Sequence, residues 1–202
     1  MEPRSPAKSR SPFDELREEH ATLLVDVRDL QSSISRMAQP DATTLGGQVS
    51  SAQDQLELLS RRFRVHFRRE EEGVFPEAQR MVSEGAQGAD VFGRFFAQEA
   101  EDDMGAHAAL ARRANEMAEM LGQMQDAGGP DEASARRLLV LVKLTATLLE
   151  RHAAKEDTLI FPMIEKSLTP AQVDAVRDRL RVLGSDRDLT GGDDSGLAQL
   201  GG

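Results

Sequence analysis

HFRREEEGVFP, residues 66–76, and HAAKEDTLIFP, residues 152–162, align without a gap. They share His, Glu, Phe and Pro at equal spacing, and the pairs Glu71/Asp157 and Val74/Ile160 are similar. In each stretch a Glu stands four residues after the His, which on a helix puts both side chains on one face, able to reach the same object. Upstream, His20-Ala21-Thr22-Leu23 matches His107-Ala108-Ala109-Leu110, and the interval from His20 to His66 is within one residue of that from His107 to His152. The chain therefore reads as two related helix hairpins.

Four segments carry an apolar seam in alternating three- and four-residue steps, the period of a helix with one buried face. The first reads Phe13, Leu16, His20, Leu23, Val27, Leu30, Ile34, Met37, opened by Ser11 as N-cap and Pro12 at the first helical position. The second reads Val49, Ala52, Leu56, Leu59, Phe63, His66, Glu70, with Gly73 as its stop. The third, from near Asp90, reads Phe96, Ala100, Asp103, His107, Leu110, Ala114, Met117, Leu121, Met124. The fourth, from about Pro130, reads Leu138, Val142, Thr145, Leu149, His152, Glu156, Leu159. Breaks fall at MAQPDATTLGG, EEGVFPEAQ, SEGAQGAD, QDAGGPDEA and FPMIEKSLTP, and a shorter fifth helix follows the capping-box pattern of Thr169, Pro170 and Gln172. No segment alternates as a strand does.

These features predict an all-α fold: an antiparallel up-down-up-down four-helix bundle over residues 12–183, with a short additional C-terminal helix across its end. A Pro/Ser arm, residues 1–11, and a Gly/Asp-rich acidic tail, residues 184–202, lack the apolar content to order themselves. Counting residues along antiparallel helices places His20, His66, His107 and His152 at one height.

Composition removes several functions. The 202 residues carry a formal net charge of −10 and no Cys, Trp or Tyr. So acidic a surface repels phosphates, which argues against nucleic acid as a partner. Without Cys there is no disulfide, thiolate nucleophile, iron–sulfur cluster or Cys-ligated zinc, and without Tyr no tyrosyl radical. The longest apolar run, residues 138–142, is far too short to span a membrane, and MEPRSPAKSR offers no signal peptide, so a cytoplasmic protein is expected.

A single seam histidine is ordinarily a hydrogen-bonded core residue. Here all four histidines of the chain lie on seams, a placement expected by chance on the order of once in a hundred if two of seven helical positions face the core. Four imidazoles and several carboxylates in one dry layer are very costly unless a charge satisfies them, and a metal ion does so. Imidazole with carboxylate and no sulfur suits iron or manganese and, less selectively, zinc.

The order of a lone His, HxxxE, a third-helix His, and HxxxE followed by FP resembles the hemerythrin-like (HHE cation-binding) domain over about residues 12–165. The likeness is closest to bacterial variants with a reduced H, HxxxE, H, HxxxE ligand set. It implies two non-haem iron ions bridged by an oxo or hydroxo group, with His20 and His66 on one iron, His107 and His152 on the other, and the carboxylates of Glu70 and Glu156 shared between them. Two positions depart from the oxygen-carrying members. Their third helix has HxxxH where this chain has Asp103 before His107, and their fourth-helix carboxylate is an Asp one residue later, where Asp157 stands. Glu156 is preferred to Asp157 as the bridge because its spacing from His152 repeats His66/Glu70. Asp103 is either a further iron ligand or a carboxylate that orients a ligand histidine. With about five ligands per iron, both ions keep an open position. That points to peroxide, dioxygen or nitric oxide as reactant, catalase-like peroxide disproportionation being the most specific expectation. A sensor or carrier of oxygen or iron, without turnover, is the competing one.

Other features take plainer readings. Met117, Met120 and Met124 are core filler. Glu71 and Glu72 are solvated neighbours of Glu70. Phe63, Phe67, Phe75, Phe95, Phe96 and Phe161 line the dry pocket or simply pack, and the arginines at 61, 62, 64, 68 and 69 pair within the acidic chain. The tail is read as a solubilising extension; the alternative is that its closing SGLAQLGG, with Leu197 and Leu200, resembles the cargo-loading peptides by which some bacterial iron proteins enter encapsulin shells.

Overall fold

Ser11 caps the first helix as its sequence predicts, its hydroxyl accepting from the backbone N–H of Phe13 at 3.3 Å. In the computed structural model, which describes residues 10–38, 45–83 and 89–184 (backbone alone at 45–46, 81–82, 89–92 and 94–97), every regular element is helical. The elements are α1 (Pro12–Met37), α2 (Leu45–Arg68), α3 (Phe75–Ser83), α4 (Ala89–Asp126), α5 (Glu132–Lys155), α6 (Phe161–Ser167) and α7 (Pro170–Leu183). α1 packs beside α2 and α5, and α4 closes the square against the same two, giving the antiparallel four-helix bundle. Asp131 caps α5 through the backbone N–H of Ser134, and Thr169 with Gln172 forms the predicted capping box of α7. The arm through residue 9, the tail from residue 185 with Leu197 and Leu200, and the side chains of Phe95 and Phe96 lie outside the described residues.

The sequence places breaks at EEGVFPEAQ and FPMIEKSLTP, with Gly73 as a stop. The chain instead stays helical through the first, and through the second as far as Ser167; there the expected break does fall, with Leu168 and Thr169 extended between α6 and α7. A π-helical turn, Arg69–Val74, joins α2 to α3, and another, Glu156–Ile160, joins α5 to α6. The proline after each turn, Pro76 or Pro162, has no N–H to donate, and the helix absorbs that defect by widening: Phe75 N–H reaches back to Glu70 O, and Phe161 N–H to Glu156 O, five residues earlier. One extra residue per turn shifts the buried phase. Leu159, assigned to the seam, is 40% exposed, and Ile160 takes its place.

Gly73 serves a close approach rather than a helix end. A Cβ on it would stand 2.5 Å from Leu180 Cδ2 of α7, which packs on the first π turn. The repeat-related position in the second hairpin is Leu159, so α7 fits over one hairpin only.

The buried apolar residues form two bodies. A large one, from Leu23 to Met37 on α1 with its counterparts on α2, α4 and α5, includes Met117 and Met124. A smaller one gathers Phe13, Leu16, Val74, Phe75, Ile160, Phe161, Ile164, Val176 and Leu180. The four histidines lie between the two bodies, at the level the residue count anticipates.

Candidate metal centre

The seams carry His20 on α1, His66 on α2, His107 on α4 and His152 on α5 into one layer, with ring centroids 4.6 Å apart for His20/His66 and 4.8 Å for His107/His152. Glu70 and Glu156, at the starts of the π turns, enter the same layer and are fully buried, as the four rings nearly are.

Each ring has one nitrogen turned outward to a carboxylate. Nδ1 of His20 stands 2.9 Å from Asp157, Nδ1 of His66 2.9 Å from Glu19, and Nδ1 of His107 2.8 Å from Glu71. His152 Nδ1 is 3.2 Å from Asp103 Oδ1. A carboxylate only accepts, so in the neutral rings of His20, His66 and His107 these hydrogen bonds assign the proton to Nδ1 and leave Nε2 a lone pair directed into the layer.

The inward atoms crowd together. Glu70 Oε1 is 3.1 Å from His66 Nε2 and 3.6 Å from His20 Nε2, while its Oε2 is 3.1 Å from His107 Nε2. Glu156 Oε2 lies 2.9 Å from His20 Nε2 and 3.2 Å from His152 Nε2. The Nε2 atoms of His107 and His152 face each other at 3.2 Å. Each carboxylate thus spans both histidine pairs. Two overlapping groups, His20/His66/His152/Glu156 and Glu70/His107/His152/Glu156, bring one ligand-type atom per residue within 4.8 Å of each other. All four oxygens of Glu70 and Glu156, and Nε2 of His20 and His66, lack a hydrogen-bond partner. Lone pairs facing lone pairs in a dry layer repel, and a cation among them reverses the sign, so the donor set fits iron.

Protons partly stand in for that charge. Burial raises the Glu70 carboxyl, but His66, His107 and His20 carry it well below the usual carboxylate range. Burial and the facing charge of Glu70 push Glu156 well above that range. Burial depresses His66 and His152. It also opposes the charge on His20, yet Asp157, Glu156 and Glu70 together raise that imidazole well above its ordinary value. Metal uptake must therefore displace protons.

The layer is walled by aromatic rings. Phe67 stacks on His107 at 4.0 Å and 11°, and Phe161 lies parallel to His20 at 5.8 Å.

Asp103 stands behind the His152 ring and joins neither donor group. Glu156 faces the layer while Asp157 backs His20. Glu71, read as solvated, holds His107. Glu19 carried no signal in the sequence reading; its only mark is adjacency to His20. Glu71 and Asp157 could have been found, because they occupy matched places in the repeat. Arg69, read as part of a basic stripe, is 2% exposed and pairs with Glu19. Of the other stripe arginines, Arg61 pairs with Glu57, Arg62 with Asp26 and Arg68 with Glu72.

The family profile of the hemerythrin HHE cation-binding domain matches residues 11–164. No curated protein matches the chain.

Proposed function

We propose that this chain, which belongs to the hemerythrin HHE cation-binding family, holds two non-haem iron ions and acts on a small oxidant, peroxide before dioxygen or nitric oxide. His20 and His66 would hold one ion and His107 and His152 the other, with Glu70 and Glu156 shared and an oxo or hydroxo group completing the bridge. The observation that carries this reading is the convergence of four inward Nε2 atoms and two spanning carboxylates in one buried layer, where both carboxylates and the Nε2 atoms of His20 and His66 have no hydrogen-bond partner.

When bound, the iron pair supplies two one-electron couples, enough to reduce one peroxide to water and oxidise a second to dioxygen. The protein's own part is positional. Asp157, Glu19 and Glu71 hold the Nδ1 protons of His20, His66 and His107 outward, and Asp103 stands 3.2 Å behind Nδ1 of His152, so every Nε2 is directed inward. Phe67 and Phe161 keep water from two of the rings. Asp157 and Glu71, 33% and 41% exposed at their side chains, put His20 and His107 in proton contact with solvent.

Elemental analysis tests the first half: two irons per chain are expected in the wild type, with substantial loss in His66→Ala. Full loading in a variant lacking all four histidines would end the proposal. Oxygen release from hydrogen peroxide that vanishes in His107→Ala supports turnover. Reversible dioxygen binding without turnover would replace the enzyme by a carrier.

A further inference from the structure

Positions 69 and 155 are related by the repeat, and both carry a cation beside the inward glutamate, Arg69 and Lys155. Their surroundings differ. Arg69 is buried, and its guanidinium pairs with Glu19, the carboxylate behind His66, and with Glu15 at 2.8 Å. Lys155 is 31% exposed at its side chain and pairs with Glu99, one helical turn before Asp103. Asp103 Oδ2 is buried without a hydrogen-bond partner. A carboxylate touching a buried guanidinium is neutralised where it stands. An ammonium one turn away and open to water compensates Asp103 far less, because solvent screens it. Asp157 behind His20 and Glu71 behind His107 do not offset the difference, since each carries one charge at comparable exposure.

We propose that the two halves of the metal centre load in order, the His107/His152 half first, and that Arg69 is the positioning residue that sets this order by cancelling the charge of Glu19. The inference rests on the two-ion reading above. A divalent cation entering beside His66 meets a neutralised outer carboxylate, whereas one entering beside His152 meets a charged one.

Titration of the metal-free full chain with Zn(II), followed by calorimetry and by the ring signals of the four histidines in NMR, tests it. Two ions should bind in two steps, His107 and His152 shifting in the first. Arg69→Met should strengthen the second step about tenfold and merge the two. Glu19→Gln combined with Arg69→Met, neutral again behind His66, should restore the separation, a recovery that lost packing cannot produce. Arg69→Lys should keep the order. Where Arg69→Met does not fold, Glu19→Gln alone decides: Arg69, left with only the half-exposed Glu15, should weaken the second step and widen the gap. Reverse loading, or an order that no variant moves, overturns the inference and leaves the two-ion reading standing. A wild-type chain that takes up fewer than two Zn(II) ions overturns that reading and the inference with it.

Discussion

The hairpin of α1 and α2 and the hairpin of α4 and α5 deliver the same inward groups, one His from the first helix and His with Glu from the second. They differ in what stands behind. In the first hairpin His66 is held by Glu19, one residue before His20; in the second, His152 is held by Asp103, four residues before His107. Positions one and four before a reference residue lie on the same side of a helix, so either can supply the carboxylate. The inward set is tied to the repeat because the facing atoms must meet at one point. The outer carboxylates need only reach a ring nitrogen from behind, and they drift along the helix.

The comparison breaks most completely at a shared group. Glu70→Ala removes the carboxylate that touches both histidine pairs, so metal content should fall in both halves rather than one; elemental analysis of the purified variant reads this. Retention of one full equivalent would show that the halves bind independently.

Outer-carboxylate variants come next. Glu19→Gln, Asp103→Asn, Glu71→Gln and Asp157→Asn should each lower metal affinity, by roughly 10–100-fold as such partners typically do. The buried pair, Glu19 and Asp103, should cost more than the exposed pair, because water can replace Glu71 or Asp157 behind its ring. Equal losses at all four positions would remove that distinction.

Metal removal and pH sharpen the comparison further. Above neutral pH, His66 and His152, both depressed, are uncharged folded and unfolded alike, and Glu70 is ionised in both states. His20, His107 and Glu156, all raised, keep their protons to higher pH folded than unfolded. Between the ordinary and the raised values of these groups the folded metal-free chain binds more protons than the unfolded one, so its melting temperature should fall as pH rises through that range. The iron-loaded chain has exchanged those protons for metal, and should melt higher and lose its advantage in acid instead. Parallel melting curves for the two forms across pH would refute the displacement of protons by metal.

The smallest effect concerns α7. Gly73→Ala gains about 0.5–1 kcal/mol of helix propensity but displaces Leu180. Overall stability should change little while amide hydrogen exchange in α7 speeds up. Leu159→Ala, at the matched place in the second hairpin, should leave α7 exchange unaltered.

Periodicity and the internal repeat made the helices, the up-down order and the common height of the histidines legible in the sequence, because a buried seam can be built only from residues at helical spacing. Ser11, Thr169 and Gln172 were legible for a similar reason: a cap is a contact between neighbours in the chain. The two π turns were not, because a Gly or Pro that ends an isolated helix can be carried through when packing on both sides holds the backbone; the burial of Ile160 in place of Leu159 follows from that. The candidate site divides along the same line. His20, His66, Glu70, His107, His152 and Glu156 announce themselves as polar residues on apolar seams. The places of Asp103, Asp157, Glu19, Glu71 and Arg69 were decided only by tertiary structure, since a carboxylate behind a ring is recognisable only once another helix has brought the ring to it.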